Sequence, residues 1–171
     1  MNLEPTQTAI IGFIGLLIAV LVIALWLWWR RRSFMVSKDM LPTFLLPEDQ
    51  YVDLDDHFRI RYWQEGQGQD VVLLHGIGAS IYIWRYLFKA LAKNYRVTAL
   101  DLPGFGRSSK PKADYGLDSQ CHRLLQAFVK LDIDHCHIIG SSMGGALALW
   151  LAKLHPHMVS SVVAMAPATH S

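Results

Sequence analysis

Hydrophobic residues fall in four rhythms along this chain, and each rhythm predicts its own kind of helix or strand. The first is unbroken. From Ala9 to Trp29 no residue carries a charge, and at about 1.5 Å of rise per residue such a run reaches roughly 31 Å, the thickness of a bilayer core. It predicts a transmembrane helix. The second rhythm is alternation: Tyr51 to Asp56 and Phe58 to Gln64 set apolar against polar residues in turn, which predicts two half-buried strands joined at Asp55-Asp56-His57. The third is a set of short apolar runs, Val71 to Leu74, Val97 to Leu100, about His135 to Gly140 and Val159 to Met165, each suited to a strand covered on both faces. The fourth, helical spacing, separates them. Trp84, Leu87, Phe88 and Leu91 recur within Ile81 to Lys93 as a core-facing stripe. Cys121, Leu124, Leu125, Phe128 and Leu131 make one face of a helix capped by Asp118, and a helix from Met143 to Leu154 ends before Pro156.

A hairpin followed by alternating strands and helices predicts an α/β fold, a doubly wound, mostly parallel sheet, preceded by one transmembrane helix. Three segments follow: residues 1–32 as an anchor with a basic flank, residues 33–50 as a linker or interfacial segment, and residues 51–171 as the globular part. Pro42 and Pro47 break any long amphipathic helix in the middle segment, which favours the linker over a segment lying in the headgroup layer.

Charge refines the picture at one end only. Against 14 acidic residues stand 16 Lys and Arg, a net +2 that points to neither nucleic acid nor an acidic partner. The excess sits at Arg30-Arg31-Arg32, directly after the interfacial-type residues Trp26, Trp28 and Trp29. By the positive-inside bias, the arginines and the globular part face the cytoplasm in a single-pass membrane protein. A cleaved signal peptide is the alternative, but it needs a basic start, and this chain begins Met1-Asn2-Leu3-Glu4. Cys121 and Cys136 have no metal-ligand spacing and read as buried, reduced thiols. His75, His135 and His137 form no ligand set, and no phosphate-cradling GxxxxGK occurs, so neither metal nor organic cofactor is implied. Oligomeric state is not legible.

The candidate chemistry lies at Gly140-Ser141-Ser142-Met143-Gly144, a GxSxG pattern between a buried-type strand and a small-residue helix. A side chain at Gly140 or Gly144 would collide across so tight a turn, and Ser142 would stand at its apex. A serine hydroxyl is a poor nucleophile until an imidazole takes its proton, a carboxylate orients that imidazole, and backbone N–H groups face the developing oxyanion.

Three motifs in order, His75-Gly76, Asp101-Leu102-Pro103-Gly104-Phe105-Gly106-Arg107-Ser108 and Gly140 to Gly145, resemble the α/β-hydrolase superfamily, serine-nucleophile branch. The resemblance implies Ser142 as nucleophile, with the backbone N–H groups of Met143 and Ile77 as oxyanion hole and with His75 and Gly76 supporting the oxyanion loop. Ser142 also stands where the dehalogenase and epoxide-hydrolase branches carry aspartate. With its anchor, the chain is similar to membrane-anchored monoacylglycerol lipase-like enzymes, which implies a small ester or lipid-derived substrate arriving along the bilayer held by residues 9–29. It also resembles hydrolases that cleave carbon–carbon bonds.

His75 as general base and Asp101 as triad acid are the less favoured readings; Asp101 reads better as a turn-forming or hydrogen-bonding residue. His135, His137, His155, His157 and His170 read as solvated, capping or idle. In the resembling family the triad acid and histidine follow later strands, so the chain is expected to be the N-terminal part of the domain, truncated after its sixth strand and nearly inactive alone. The alternatives are a catalytically inactive, membrane-anchored binding module, or an acyltransferase or haloperoxidase on the same fold.

Overall fold

The computed structural model describes residues 19–25 and 46–168. Most of the predicted span at residues 9–29, all of residues 33–45 and His170 lie outside the described residues. Residues 19–25 form a helical stretch (α1) in which every residue is exposed. Among the described residues, no helix is long and apolar enough to cross a membrane. The chain divides into two compact units, Met1–Phe44 and Leu45–Ser171.

The second unit is built on six strands: β1 (Gln50–Asp53), β2 (Arg59–Glu65), β3 (Asp70–Leu74), β4 (Arg96–Leu100), β5 (Cys136–Ser141) and β6 (Val159–Met165). They lie in the order β1-β2-β4-β3-β5-β6. β1 and β2 pair antiparallel, as do β2 and β4, while β3, β4, β5 and β6 run parallel. The sheet is therefore mixed, its parallel portion the α/β pattern that the short apolar runs predict.

Those runs are continuous because helices cover both faces of the sheet. Val72 and Leu74 of β3, with Leu100 and Ile138, pack against α3 (Leu117–Lys130) and α4 (Met143–Leu154) through Leu124, Phe128, Leu147 and Leu151. The alternate residues Val71 and Leu73, with Val97, Ala99 and Trp63, pack against Ile81, Trp84 and Phe88 on the opposite face. There the predicted helix from Ile81 to Lys93 is a 3-10 turn, Ile81–Trp84, followed by the shorter α2 (Arg85–Leu91). Leu87, expected in the core, is 36% exposed, because the 3-10 turn rotates the stripe so that only Trp84 and Phe88 are fully covered.

Two further expectations are corrected. Asp118 does not cap α3. Gly116 holds the N-cap position without a side-chain bond, and Asp118 lies inside the first turn, where its Oδ1 accepts from Trp150 Nε1 at 2.8 Å. The cap-like role belongs to Asp114, whose Oδ1 accepts the Gly116 N–H at 2.9 Å and whose Oδ2 accepts from Ser119 Oγ. Nor is β6 buried on both faces as its apolar sequence predicts: Val163 and Met165 are exposed, because α2 covers the middle of the sheet and not this edge. Leu46, in the segment expected as a linker, packs against the α2-side core.

Candidate active site

The carboxyl ends of β3, β4 and β5 deliver three loops to one edge of the sheet, where open α/β sheets place their ligands. β5 ends at Ser141 and α4 begins at Met143, leaving Ser142 alone to reverse the chain. It does so at φ 53° and ψ −116°, a conformation costly for any residue with a Cβ. The strain is held from both sides. The Ser142 N–H donates to the Met165 carbonyl at 2.9 Å, and the Ser142 carbonyl accepts from Ala146 at 3.1 Å and Ala168 at 3.2 Å.

Glycines make the turn sterically possible. A Cβ on Gly140 would lie 2.2 Å from the Gly144 carbonyl oxygen, and one on Gly144 would lie 2.2 Å from the Leu74 carbonyl oxygen. α4 can therefore start directly against the end of β3. The loop leaving β3 presses on the same turn: a Cβ on Gly76 would stand 3.0 Å from Ser142 Cβ and 3.5 Å from Ser142 Oγ. Ser142, Met143 at the first position of α4, and the loop carrying His75, Gly76 and Ile77 are thus brought together. The Ile77 side chain is 70% exposed.

His75 is fully buried and engaged through both ring nitrogens. Its Nδ1–H donates to the Gly76 carbonyl at 2.7 Å, while Nε2 accepts the Leu102 N–H at 3.0 Å. Burial pushes its pKa below the usual imidazole value, against the opposing influence of the Gly76 carbonyl and the Asp101 carboxylate. The ring is a neutral strut between two loops, with Phe105 packed edge-on against it at 6.0 Å between centroids.

Asp101 is as deeply buried, and its carboxylate is saturated by donors. Oδ1 accepts the Ile81 N–H at 2.7 Å; Oδ2 accepts from Arg61 Nη1 at 3.0 Å and from the Arg107 N–H at 2.8 Å. Arg61 in turn reaches Asp49 through Nε at 2.6 Å, and Asp49 also accepts from Trp63 Nε1 at 3.1 Å and Arg107 Nη1 at 2.5 Å. Burial acts to raise the Asp49 pKa, but the hydrogen bonds from Arg61, Trp63 and Arg107 hold it below the usual carboxylate range. The sequence reading missed Arg61 and Asp49. A signal existed: Arg61 shares a strand face with Trp63, which is an inward position for a charged residue.

The remaining histidines lie elsewhere. His135 Nδ1 pairs with the His157 carbonyl at 2.8 Å, His137 Nδ1 with Ser161 Oγ at 2.8 Å, and His155 follows α4. Among the described residues, no group of three or more His, Cys, Asp or Glu is arranged to hold a metal ion.

A strained serine at a strand-to-helix turn, facing a glycine loop from the neighbouring parallel strand, defines an α/β protein with a nucleophile-elbow type of turn. The chain belongs to the alpha/beta hydrolase fold family, whose model matches residues 71–171. It is 38% identical over 112 residues to 2-hydroxy-6-oxo-6-(2'-aminophenyl)hexa-2,4-dienoic acid hydrolase of Metapseudomonas resinovorans, covering 63% of this chain and 39% of that protein. It is 39% identical over 102 residues to pimeloyl-[acyl-carrier protein] methyl ester esterase of Aeromonas hydrophila subsp. hydrophila, covering 59% of this chain and 39% of the relative. Among solved structures it is similar to a membrane phospholipase A described as a bacterial virulence factor, with a TM-score of 0.68, 31% identity, and coverage of 88% of this chain and 50% of that one. The chain thus spans 39% of the length of each of the two curated relatives.

Proposed function

We propose that this chain is the N-terminal, membrane-anchored part of a serine hydrolase that cleaves carboxylic esters, lipid-derived esters included, through an acyl-enzyme on Ser142. The observation that carries the proposal is the Ser142 turn itself, held at φ 53° with Gly76 of the adjoining loop against it. Residues are kept in such backbone strain when the surrounding structure over-determines them, which happens chiefly at working sites.

In the proposed reaction, Ser142 Oγ attacks the ester carbonyl carbon while its proton passes to an imidazole. The N–H groups of Met143 and Ile77 stabilise the oxyanion. Collapse expels the alcohol, which takes that proton, and water then hydrolyses the acyl-enzyme by the same route in reverse roles. His75 is a poor candidate for the imidazole, because both its nitrogens are committed. The reading therefore draws the base and its carboxylate from outside the described residues.

Membrane attachment belongs to the same proposal. The uncharged run at residues 9–29 spans the bilayer, Arg30 to Arg32 hold the cytoplasmic side, and the globular unit faces inward. The exposed apolar helix at residues 19–25 supports this, as does the similarity to a membrane phospholipase A.

One experiment reads both parts. Cells expressing the full-length protein are treated with a fluorophosphonate probe and fractionated. A labelled band in the membrane fraction, absent in Ser142→Ala and shifted to the soluble fraction on deletion of residues 1–32, is the expected result. Undiminished labelling of Ser142→Ala would overturn the nucleophile. A second reading, hydrolysis of a carbon–carbon bond in a vinylogous keto acid, is favoured by the similarity to the dienoic acid hydrolase, and product analysis separates the two.

A further inference from the structure

We infer that Arg61 and Asp101 form a buried clamp that positions the Ile77 backbone N–H for the oxyanion; this rests on the proposed role of Ser142. The loop that carries Ile77 runs from His75 to Ile81 and is tied at both ends to one neighbouring segment. At its start, His75 Nε2 accepts the Leu102 N–H at 3.0 Å; at its end, the Ile81 N–H donates to Asp101 Oδ1 at 2.7 Å. Between these ties the Ile77 side chain is exposed, and Gly78 adopts φ 72° with no atom within 4 Å of where a Cβ would stand. The middle of the loop is a turn closed by the Ala79 N–H on the Gly76 carbonyl at 3.2 Å, which fixes its local shape. Where that turn stands relative to β3 and β4 is set by the ties at its ends.

Asp101 can hold the Ile81 end only while its own carboxylate is oriented. Arg61 does this from β2: its side chain is 8% exposed and bridges Asp101 and Asp49, so one guanidinium is locked between two carboxylates. The Arg107 N–H completes the second oxygen, and Gly106, at φ 53°, lets the backbone pass where a Cβ would lie 2.2 Å from that oxygen. Ser108 Oγ joins the same assembly to β2, accepting the Arg61 N–H at 2.9 Å and donating to the Asp101 carbonyl at 2.7 Å. Three donors, from Arg61, Ile81 and Arg107, meet at one carboxylate. Neither Arg61 nor Asp101 touches the reacting atoms, so both are positioning residues. A misplacement of about 1 Å in such a loop can lower a rate on the order of 100-fold.

The test uses the full-length protein and compares wild type with Asp101→Asn, Arg61→Met and Arg61→Lys. Two quantities are measured: amide hydrogen exchange across residues 75–82, and kcat and KM on p-nitrophenyl acetate, normalised to the sites that take up fluorophosphonate. We expect Asp101→Asn and Arg61→Met to exchange roughly tenfold faster in this loop, with β3 and β5 unchanged. Their kcat per labelled site should fall on the order of 10- to 100-fold with KM within about twofold, and Arg61→Lys should restore part of it. A purely structural role would lower the number of labelled sites and leave kcat per site alone, which would overturn the inference. Unchanged exchange in the loop overturns the clamp whatever the activity. A wild-type protein that fails to label at Ser142 overturns the catalytic reading, and exchange alone then decides whether the clamp exists.

Discussion

His75 shows how little a residue type says before its surroundings are known. A histidine in an alpha/beta hydrolase fold invites the role of base, yet this one spends both ring nitrogens on the Gly76 carbonyl and the Leu102 N–H. Its burial lowers its pKa, and the sign of the consequence follows from linkage. In the unfolded chain the imidazole binds a proton as pH falls through the usual value near 6.5, while the folded protein resists protonation to lower pH. Folding stability from this group is therefore complete at neutral pH and declines as pH drops below that value. Unfolding free energy measured by denaturant titration should fall between pH 7 and pH 5, and His75→Asn should flatten that slope. An unaltered slope would assign the acid sensitivity to other groups. Asp101 carries the same lesson: the sequence reading as a hydrogen-bonding residue agrees with three donors on a buried carboxylate. Which donors they are was hidden, because Arg61 and Ile81 lie 40 and 20 positions away in sequence.

At the scale of elements, local pattern was a good guide wherever a strand or helix is determined by its own residues. Met143–Leu154 and Val159–Met165 begin and end where their apolar spacing places them. It was a poorer guide where a neighbour decides. The 3-10 turn at Ile81–Trp84 is imposed by the Asp101 bond to Ile81 and by the Ser80 hydroxyl, which accepts the Tyr82 N–H at 3.4 Å. The start of α3 is set by Asp114 rather than by Asp118. The junction of β5 and α4 is where the elements depend on one another most. Gly144→Ala would drive a methyl group to 2.2 Å from the Leu74 carbonyl oxygen, a backbone atom that cannot swing away. It should destabilise the fold by about 2–3 kcal/mol through the forced separation of α4 from β3. Gly78→Ala meets no atom within 4 Å and carries only the cost of its φ of 72°, about 1 kcal/mol. Chemical denaturation of the two variants side by side gives the comparison, and equal losses would contradict the close approach.

Across the whole molecule, the two cysteines report on the integrity of both sheet and helices. Cys121 of α3 and Cys136 of β5 lie in the same core, unbridged, and burial pushes each thiol up to about 12. Thiolate is the reactive form, so native protein should react with DTNB only as fast as it opens, and the two thiols should become reactive together. Reaction of one thiol well before the other would reveal a part that unfolds independently. The sequence alone determined the class of fold and the place of the serine turn. Periodicity, glycine and proline act over a few residues, and three short motifs in order carry the rest. The tertiary structure alone decided how the site is held: which strands pair, that β6 keeps one face open, and that Arg61, Asp49 and Asp101 converge behind the loop from His75 to Ile81. The physical reason is that a buried charge is tolerable only beside its partner, and partners are chosen by the sheet that brings distant segments together, not by their separation along the chain.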